Sequence, residues 1–332
     1  MYNFERRKVT RFLKKHKVRR AAVQLPAGLR PHLSEIKATF EGAGVETIIL
    51  GDSCYGACDV ADIKAKQLGC DGLVQYGHSD MGLRTVLPTL YVEARMTADP
   101  LGAVEKALPK LKFKRLGMAT TVQHIEFLPK IAKILRSSGI KPLVGKPGSR
   151  SRYPGQILGC DWSSVKSISA KVDGFLYIGT GKFHPVGINL ATGKEVIAVN
   201  PVAGSCENLI FNLGDFLRQR KAMISRATAC AKFGILVSSK PGQARLKLAA
   251  RLAGELRRAG LTAHILVLDE ISQEKLDDFK LDAFVCAACP RIPIDDAGRF
   301  SKPILTPFEA RVMIGKEKFE PYKLDEVKSS DF

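Results

Sequence analysis

The chain has 332 residues, and 52 Lys and Arg against 33 Asp and Glu give a formal net charge of +19. A hydrophobic share of 45% excludes a globally disordered chain and can fill the cores of two or three ordinary domains. No apolar run approaches the roughly 18–20 residues of a bilayer span, and the basic N-terminus has no long apolar stretch behind it, so we expect a soluble, cytoplasmic protein without membrane association.

The first element is a basic helix, since nine of the first twenty residues are Lys or Arg. It reads as a solvated face, an assembly surface or a docking patch. A phrase of strand, helix and further strands then begins at AAVQLP (21–26), continues through a helical face of Leu33, Ile36 and Phe40, and stops at Gly44-Val45. VETIIL (45–50), DGLVQYGH (71–78) and LPTLYVEA (87–94) follow. The second copy runs LGMATT (116–121), the face Leu128, Ile131 and Leu135, the stop Gly139-Ile140, then IKPLVG (140–145), DGFLYIGT (173–180) and EVIAVNPV (195–202). The third runs FGILVSS (233–239), the face Leu246, Ala249, Ala253 and Leu256, the stop Gly260-Leu261, then LTAHILVL (261–268), DAFVCAAC (282–289) and KPILTPFEA (302–310). The i, i+3, i+7 spacing marks amphipathic helices, and each stopping glycine suits a left-handed C-cap.

Short apolar strands alternating with helices imply an α/β protein with parallel sheets covered by helices. Three copies imply three similar, small Rossmann-like domains over 1–103, 104–213 and 214–332, arranged around one central site. Ligands in open α/β sheets collect at the C-terminal strand ends, which directs attention to the cysteines. Eight of them lie at 54, 58, 70, 160, 206, 230, 286 and 289, and we expect them to be reduced. Cys70, Cys206 and Cys230 read as core. GDSCYGACDVAD (51–62), ILGCDWSS (157–164) and CAACPRIPIDD (286–296) each carry a cysteine at a ligand-binding edge. Two metal readings follow. Cys54, Cys58, Cys286 and Cys289 could form a closed zinc site, or Cys58, Cys160 and Cys289 could supply three thiolates to an iron–sulfur cluster with one open iron. Spacing does not choose between them. The compact C-x3-C-x2-C of radical enzymes is absent, because Ala61 stands where its third cysteine would fall.

The blocks QLPAGL (24–29), GDSCYGACDVAD (51–62), DGLVQYGHS (71–79), TTVQH (120–124), ILGC (157–160), YIGTGKFHP (177–185), SSKPGQ (238–243), ACPRIPID (288–295) and LTPFEA (305–310) run in order across nearly the whole chain. Through them the sequence resembles the archaeal diphthamide biosynthesis enzymes, the radical 3-amino-3-carboxypropyl transferases. The resemblance implies a 4Fe–4S cluster held by Cys58, Cys160 and Cys289, with no catalytic side chain assigned beyond these ligands. It implies S-adenosylmethionine as co-substrate, cleaved at its sulfur–Cγ bond, and transfer of the 3-amino-3-carboxypropyl group to a histidine of translation elongation factor 2. Methylthioadenosine is the other product. It further implies a homodimer and an external electron donor.

Gly179, Gly181 and His184 could line the S-adenosylmethionine pocket, the glycines allowing close backbone approach; a tight turn is the plainer reading. Gln24, Ser239 and Gln243 stand at the ends of first strands, where side chains can reach a carboxylate or adenosine. His78 stands at an equivalent strand end. The loop 146–156, KPGSRSRYPGQ, reads as a lid or a solvated connector. The alternatives to the transferase are a zinc-dependent transferase on the same scaffold and a basic RNA- or ribosome-binding protein. Nucleic acid is the weaker partner, because one Trp and no aromatic-rich basic block leave little to stack on bases.

Overall fold

Each repeat folds around its own sheet. The computed structural model describes residues 2–209 and 213–332. The first sheet contains Arg20–Gln24, Glu46–Leu50, Gly72–Tyr76 and Thr89–Val92; the second Arg115–Thr120, Lys141–Val144, Gly174–Ile178, Val196–Asn200 and Ser205–Leu209; the third Lys232–Ser238, Thr262–Leu268, Ala283–Cys286 and Ile304–Leu305. In all three the spatial order begins second–first–third–fourth, and these four strands are parallel.

Two departures from the expected pattern stand out. Ser205–Leu209 adds an antiparallel strand to the edge of the second sheet, so Cys206 sits half-buried on that edge, packed against the margin of the core. In KPILTPFEA only Ile304–Leu305 is strand; the helix Pro307–Met313 follows, with Thr306 and Glu309 closing a capping box.

The local signals act as their chemistry requires. The expected helical faces lie on Leu33–Glu41, Leu128–Ser137 and Leu246–Arg258. Gly44, Gly139 and Gly260 end them at φ of 67°, 77° and 82°. The next N–H then reaches back to Phe40, Leu135 and Leu256 at 3.0, 2.9 and 3.1 Å, the bond that satisfies an orphan carbonyl at a helix end. Leu246 differs from expectation. It opens its helix and is 53% exposed, and the buried face starts at Ala249.

The aspartate before each third strand also has a physical role. Asp71 accepts from the Arg20 N–H (3.1 Å), Asp173 from Arg115 (2.8 Å) and Asp282 from Lys232 (2.8 Å), pinning the start of each first strand. Separate apolar clusters cover the two faces of each sheet. The helix Arg6–Lys15 buries Val9, Phe12 and Leu13 and turns its cations outward. Among the described residues no helix is long and apolar enough to cross a membrane.

Candidate functional site

The loop after the second strand of the first sheet carries Cys58, and its shape is set from beneath. Gln24 is buried; its Nε2 donates to the Asp59 carbonyl (2.6 Å), and its Oε1 accepts from the Ala61 N–H (3.2 Å) and Gln75 Nε2 (3.1 Å). The geometry thus spends the Gln24 amide on the loop backbone. The third sheet holds the same loop from the other side. Lys240 Nζ lies 2.9 Å from Asp59 Oδ2, the Gly242 N–H donates to the Cys58 carbonyl (2.9 Å), and Gln243 Nε2 donates to Cys58 Sγ (3.3 Å). A Cβ on Gly242 would stand 2.6 Å from Cys58 Cα, so this approach requires glycine.

Cys160 follows the second strand of the second sheet, in a loop closed by the C-terminal segment. Leu324 packs against the core on one face of the second sheet, and the Val327 N–H donates to the Cys160 carbonyl (3.0 Å). Glu326 accepts from the Trp162 N–H (3.2 Å) and from Lys166 (2.6 Å). Asp325 pairs with buried Arg245 (Nη1–Oδ1 3.0 Å), which ties the segment to the third sheet. Cys289 lies three residues past the strand Ala283–Cys286, and its carbonyl accepts from the Ile292 N–H (3.2 Å). Arg291 lies over the Phe183 ring, 4.0 Å from its centroid. A Cβ on Gly159, one residue before Cys160, would meet both Phe183 (2.7 Å) and Arg291 (2.9 Å).

Three half-buried thiols, one beyond each sheet, therefore face a shared region: Cys160 feels the charge of both Cys58 and Cys289, and Cys289 feels that of Cys58. Burial pushes Cys160 up to about 12 and Cys289 up to about 11, and raises Cys58 as well. The Gln243 hydrogen bond and the Arg150 guanidinium oppose that rise at Cys58; Arg150 opposes it at Cys160 too. Cys54 is buried with Sγ 4.0 Å from His78 Nδ1, and Cys286 turns its thiol to the Cys289 carbonyl (3.5 Å). Among the described residues no three His, Cys, Asp or Glu converge closely enough to hold one metal ion. Neither the four-cysteine zinc set nor Cys58, Cys160 and Cys289 is therefore drawn together into a single-ion site.

The surroundings suit a larger, anionic guest. Buried polar atoms are normally paired, yet among the described residues Tyr91 Oη, Gln75 Oε1 and Arg150 Nη1 have no hydrogen-bond partner, and all three belong to residues around the Cys58 loop. Tyr91 packs with Ala57 and Met81 in the small cluster that also meets Cys58 and Leu158. Three separate thiols with two unspent donors beside them, Tyr91 Oη and Arg150 Nη1, fit an inorganic cluster better than a single ion.

The remaining expected residues divide. His184 lies face to face with Tyr177 (5.8 Å between ring centroids), its Nδ1 3.4 Å from the Tyr177 hydroxyl, with Trp162 and Phe183 around it. Burial, with help from Arg291, lowers it to about 4, so it is neutral near pH 7. Gly179 is buried at φ 154°, and a Cβ there would strike the Tyr177 hydroxyl at 2.4 Å. Gly181 is exposed at φ 76° with open space around it. Ser239 is exposed and donates to Asp269 (3.0 Å).

Two features were not assigned to the site from sequence. The loop 146–156 is solvated at Lys146, Pro147, Ser149, Arg152 and Pro154 but anchored by buried Arg150, Ser151 and Gln156, and Gln156 donates to Ser79 (2.8 Å). Residues 324–327 brace the Cys160 loop although they carry no motif; their one legible mark is the apolar pair Leu324 and Val327 in a polar stretch.

The family model described as "Putative diphthamide synthesis protein" matches residues 25–323. The 2-(3-amino-3-carboxypropyl)histidine synthase of Pyrococcus horikoshii is 36% identical over 98% of this chain and 94% of its own. Subunit 1 of the same synthase from Eremothecium gossypii is 31% identical over 96% of this chain and 76% of its own. The crystal structure of Dph2 from P. horikoshii with a 4Fe–4S cluster superposes with a TM-score of 0.92 at 35% identity, covering 99% of this chain and 95% of that one.

Proposed function

This chain belongs to the diphthamide synthesis protein family and is a transferase of the 2-(3-amino-3-carboxypropyl)histidine synthase kind, and from that premise we propose that it performs the first step of diphthamide biosynthesis on elongation factor 2. In this reading Cys58, Cys160 and Cys289 hold a 4Fe–4S cluster. S-adenosylmethionine gives its 3-amino-3-carboxypropyl group to a ring carbon of the target histidine and leaves as methylthioadenosine. The bound cluster supplies the electron that breaks the sulfur–Cγ bond in this radical route. The observation that supports the reading is the approach of one half-buried thiol from each sheet to a region where the buried donors Tyr91 Oη and Arg150 Nη1 are unspent.

The chain's own residues then have distinct tasks. Gln243 steadies the sulfur of Cys58, and Gln24 and Lys240 fix the loop that carries it. His184 stays neutral, so it can exchange hydrogen bonds without repelling a sulfonium cation. With Gly179 and Gly181 it forms one wall of the co-substrate pocket in our reading, and positioning there decides which sulfonium bond faces the electron source. Ser239 stands at the outer edge of that pocket. We place the three units at 1–103, 104–213 and 214–332, in a cytoplasmic homodimer served by an external electron donor.

Anaerobic iron and sulfide analysis of the wild-type protein tests this directly. The reading expects about four irons and about four sulfides per chain with a brown, broad visible absorption. A colourless protein carrying one zinc per chain would overturn it.

A further inference from the structure

Arg150 is 2% exposed, yet one of its three guanidinium nitrogens has no hydrogen-bond partner among the described residues. Nη2 donates to the Gly242 carbonyl (3.0 Å) and lies 3.1 Å from Met81 Sδ, whereas buried Nη1 has no partner. Among the described residues no carboxylate stands within ion-pair distance of it; the ion pairs near the site use Lys240, Arg245 and Arg291 instead. A buried, uncompensated cation is costly, so such a group is retained where a counter-charge arrives from elsewhere.

Its position says which counter-charge. The Gly242 turn that it grips donates to the Cys58 carbonyl, and a Cβ on Gly242 would stand 2.6 Å from Cys58 Cβ and 2.9 Å from Arg150 Nη2, so the guanidinium lies beside the Cys58 side chain. Its neighbour Ser151 donates to Asp161 (3.1 Å), next to Cys160. From outside, Ser329 donates two hydrogen bonds to Ser149, from its N–H to Oγ (3.3 Å) and from its hydroxyl to the carbonyl (3.1 Å), and the Phe332 ring centroid lies 5.5 Å from the guanidinium carbon. The side chain is therefore held in place on both sides.

We propose that Arg150 is the buried counter-charge of the cluster, with its free Nη1–H directed to cluster sulfur. The inference rests on the cluster reading given above. One-electron reduction, by dithionite in the test below, adds one negative charge to an already anionic centre. A fixed guanidinium beside it stabilises the reduced form more than the oxidised form, so Arg150 raises the reduction potential. It acts as a tuning and positioning residue and takes no part in bond-making.

The test is an anaerobic redox titration of full-length protein, followed by electron paramagnetic resonance, on wild type, Arg150→Gln and Arg150→Lys, with iron content measured on each. At a fixed solution potential the ratio of reduced to oxidised cluster should fall about tenfold in Arg150→Gln, equivalent to ~59 mV for one electron. Arg150→Lys, which keeps the charge, should recover most of that loss. If Arg150→Gln fails to hold iron, Arg150→Met and Arg150→Lys give the same comparison. An unmoved potential at equal iron content would overturn the inference alone. So would an unmoved potential with a tenfold weaker S-adenosylmethionine affinity by calorimetry, which would place the guanidinium on the co-substrate carboxylate. A wild-type protein without a cluster would overturn this inference and the functional reading together.

Discussion

Cys160→Ala should lose nearly all bound iron and sulfide while keeping its fold. In the proposed ligand set the substitution removes the one thiolate from the second sheet, and Cys206, the other cysteine of that sheet, lies on the far edge strand, where Lys110 bonds its carbonyl. Cys160 is only half-buried, and its loop is held by backbone bonds from Val327 and by Glu326, none of which needs the sulfur. The cost to folding should therefore stay near ~1 kcal/mol, and thermal unfolding of the metal-free proteins should nearly coincide. Transfer to elongation factor 2 should fall at least about a hundredfold, in line with loss of a cofactor rather than of a contact. Cys54→Ala is the matched comparison, because its thiol faces His78; it should keep its iron. Equal iron in Cys160→Ala and wild type, with loss in Cys54→Ala, would favour the opposite ligand set.

Arg220→Met should destabilise the third unit by about 3–5 kcal/mol, because it strips the partner from a buried carboxylate. Arg220, on the helix Leu213–Thr228, binds both oxygens of Glu309 (2.7 and 2.6 Å) and the carbonyls of Pro293 (2.7 Å) and Ile304 (3.3 Å). Glu309 is fully buried and is shared with the Tyr322 hydroxyl (2.8 Å) and the Thr306 N–H (2.8 Å). The bond to Pro293 matters for the site, since Pro293 belongs to the short helix Arg291–Asp295 that follows Cys289. Urea unfolding should show an earlier transition, and reconstituted protein should lose iron faster than wild type. A stability within about 1 kcal/mol of wild type would mean that this node is not the brace described here.

Much of this architecture is written locally. The cap glycines, the helical faces and the aspartates before third strands each act within one repeat, so their signals survive in the sequence as spacing. The three cysteines were legible as strand-end residues, but the proposed grouping needed the family blocks, because C-x3-C and C-x2-C compete with a partition across three sheets. Gln24 shows where local reading stops. A polar residue at a strand end can serve a ligand or the next loop, and only the tertiary bonds to Asp59 and Ala61 separate the two. The loop 146–156 and residues 324–327 were illegible for a related reason. They are short on periodicity, and their value comes from partners far along the chain, Gly242 for Arg150 and Cys160 for Val327. Leu246 illustrates the opposite error, an apolar residue in register with a buried face that opens its helix before the core begins.

The central claim is a particular bond cleavage, and product analysis reads it most directly. Anaerobically reconstituted, dithionite-reduced protein, given S-adenosylmethionine and unmodified elongation factor 2, should release methylthioadenosine in proportion to factor carrying one added 3-amino-3-carboxypropyl group on a single histidine. Release of 5′-deoxyadenosine in its place, or modification at full rate by protein freed of iron, would contradict the account.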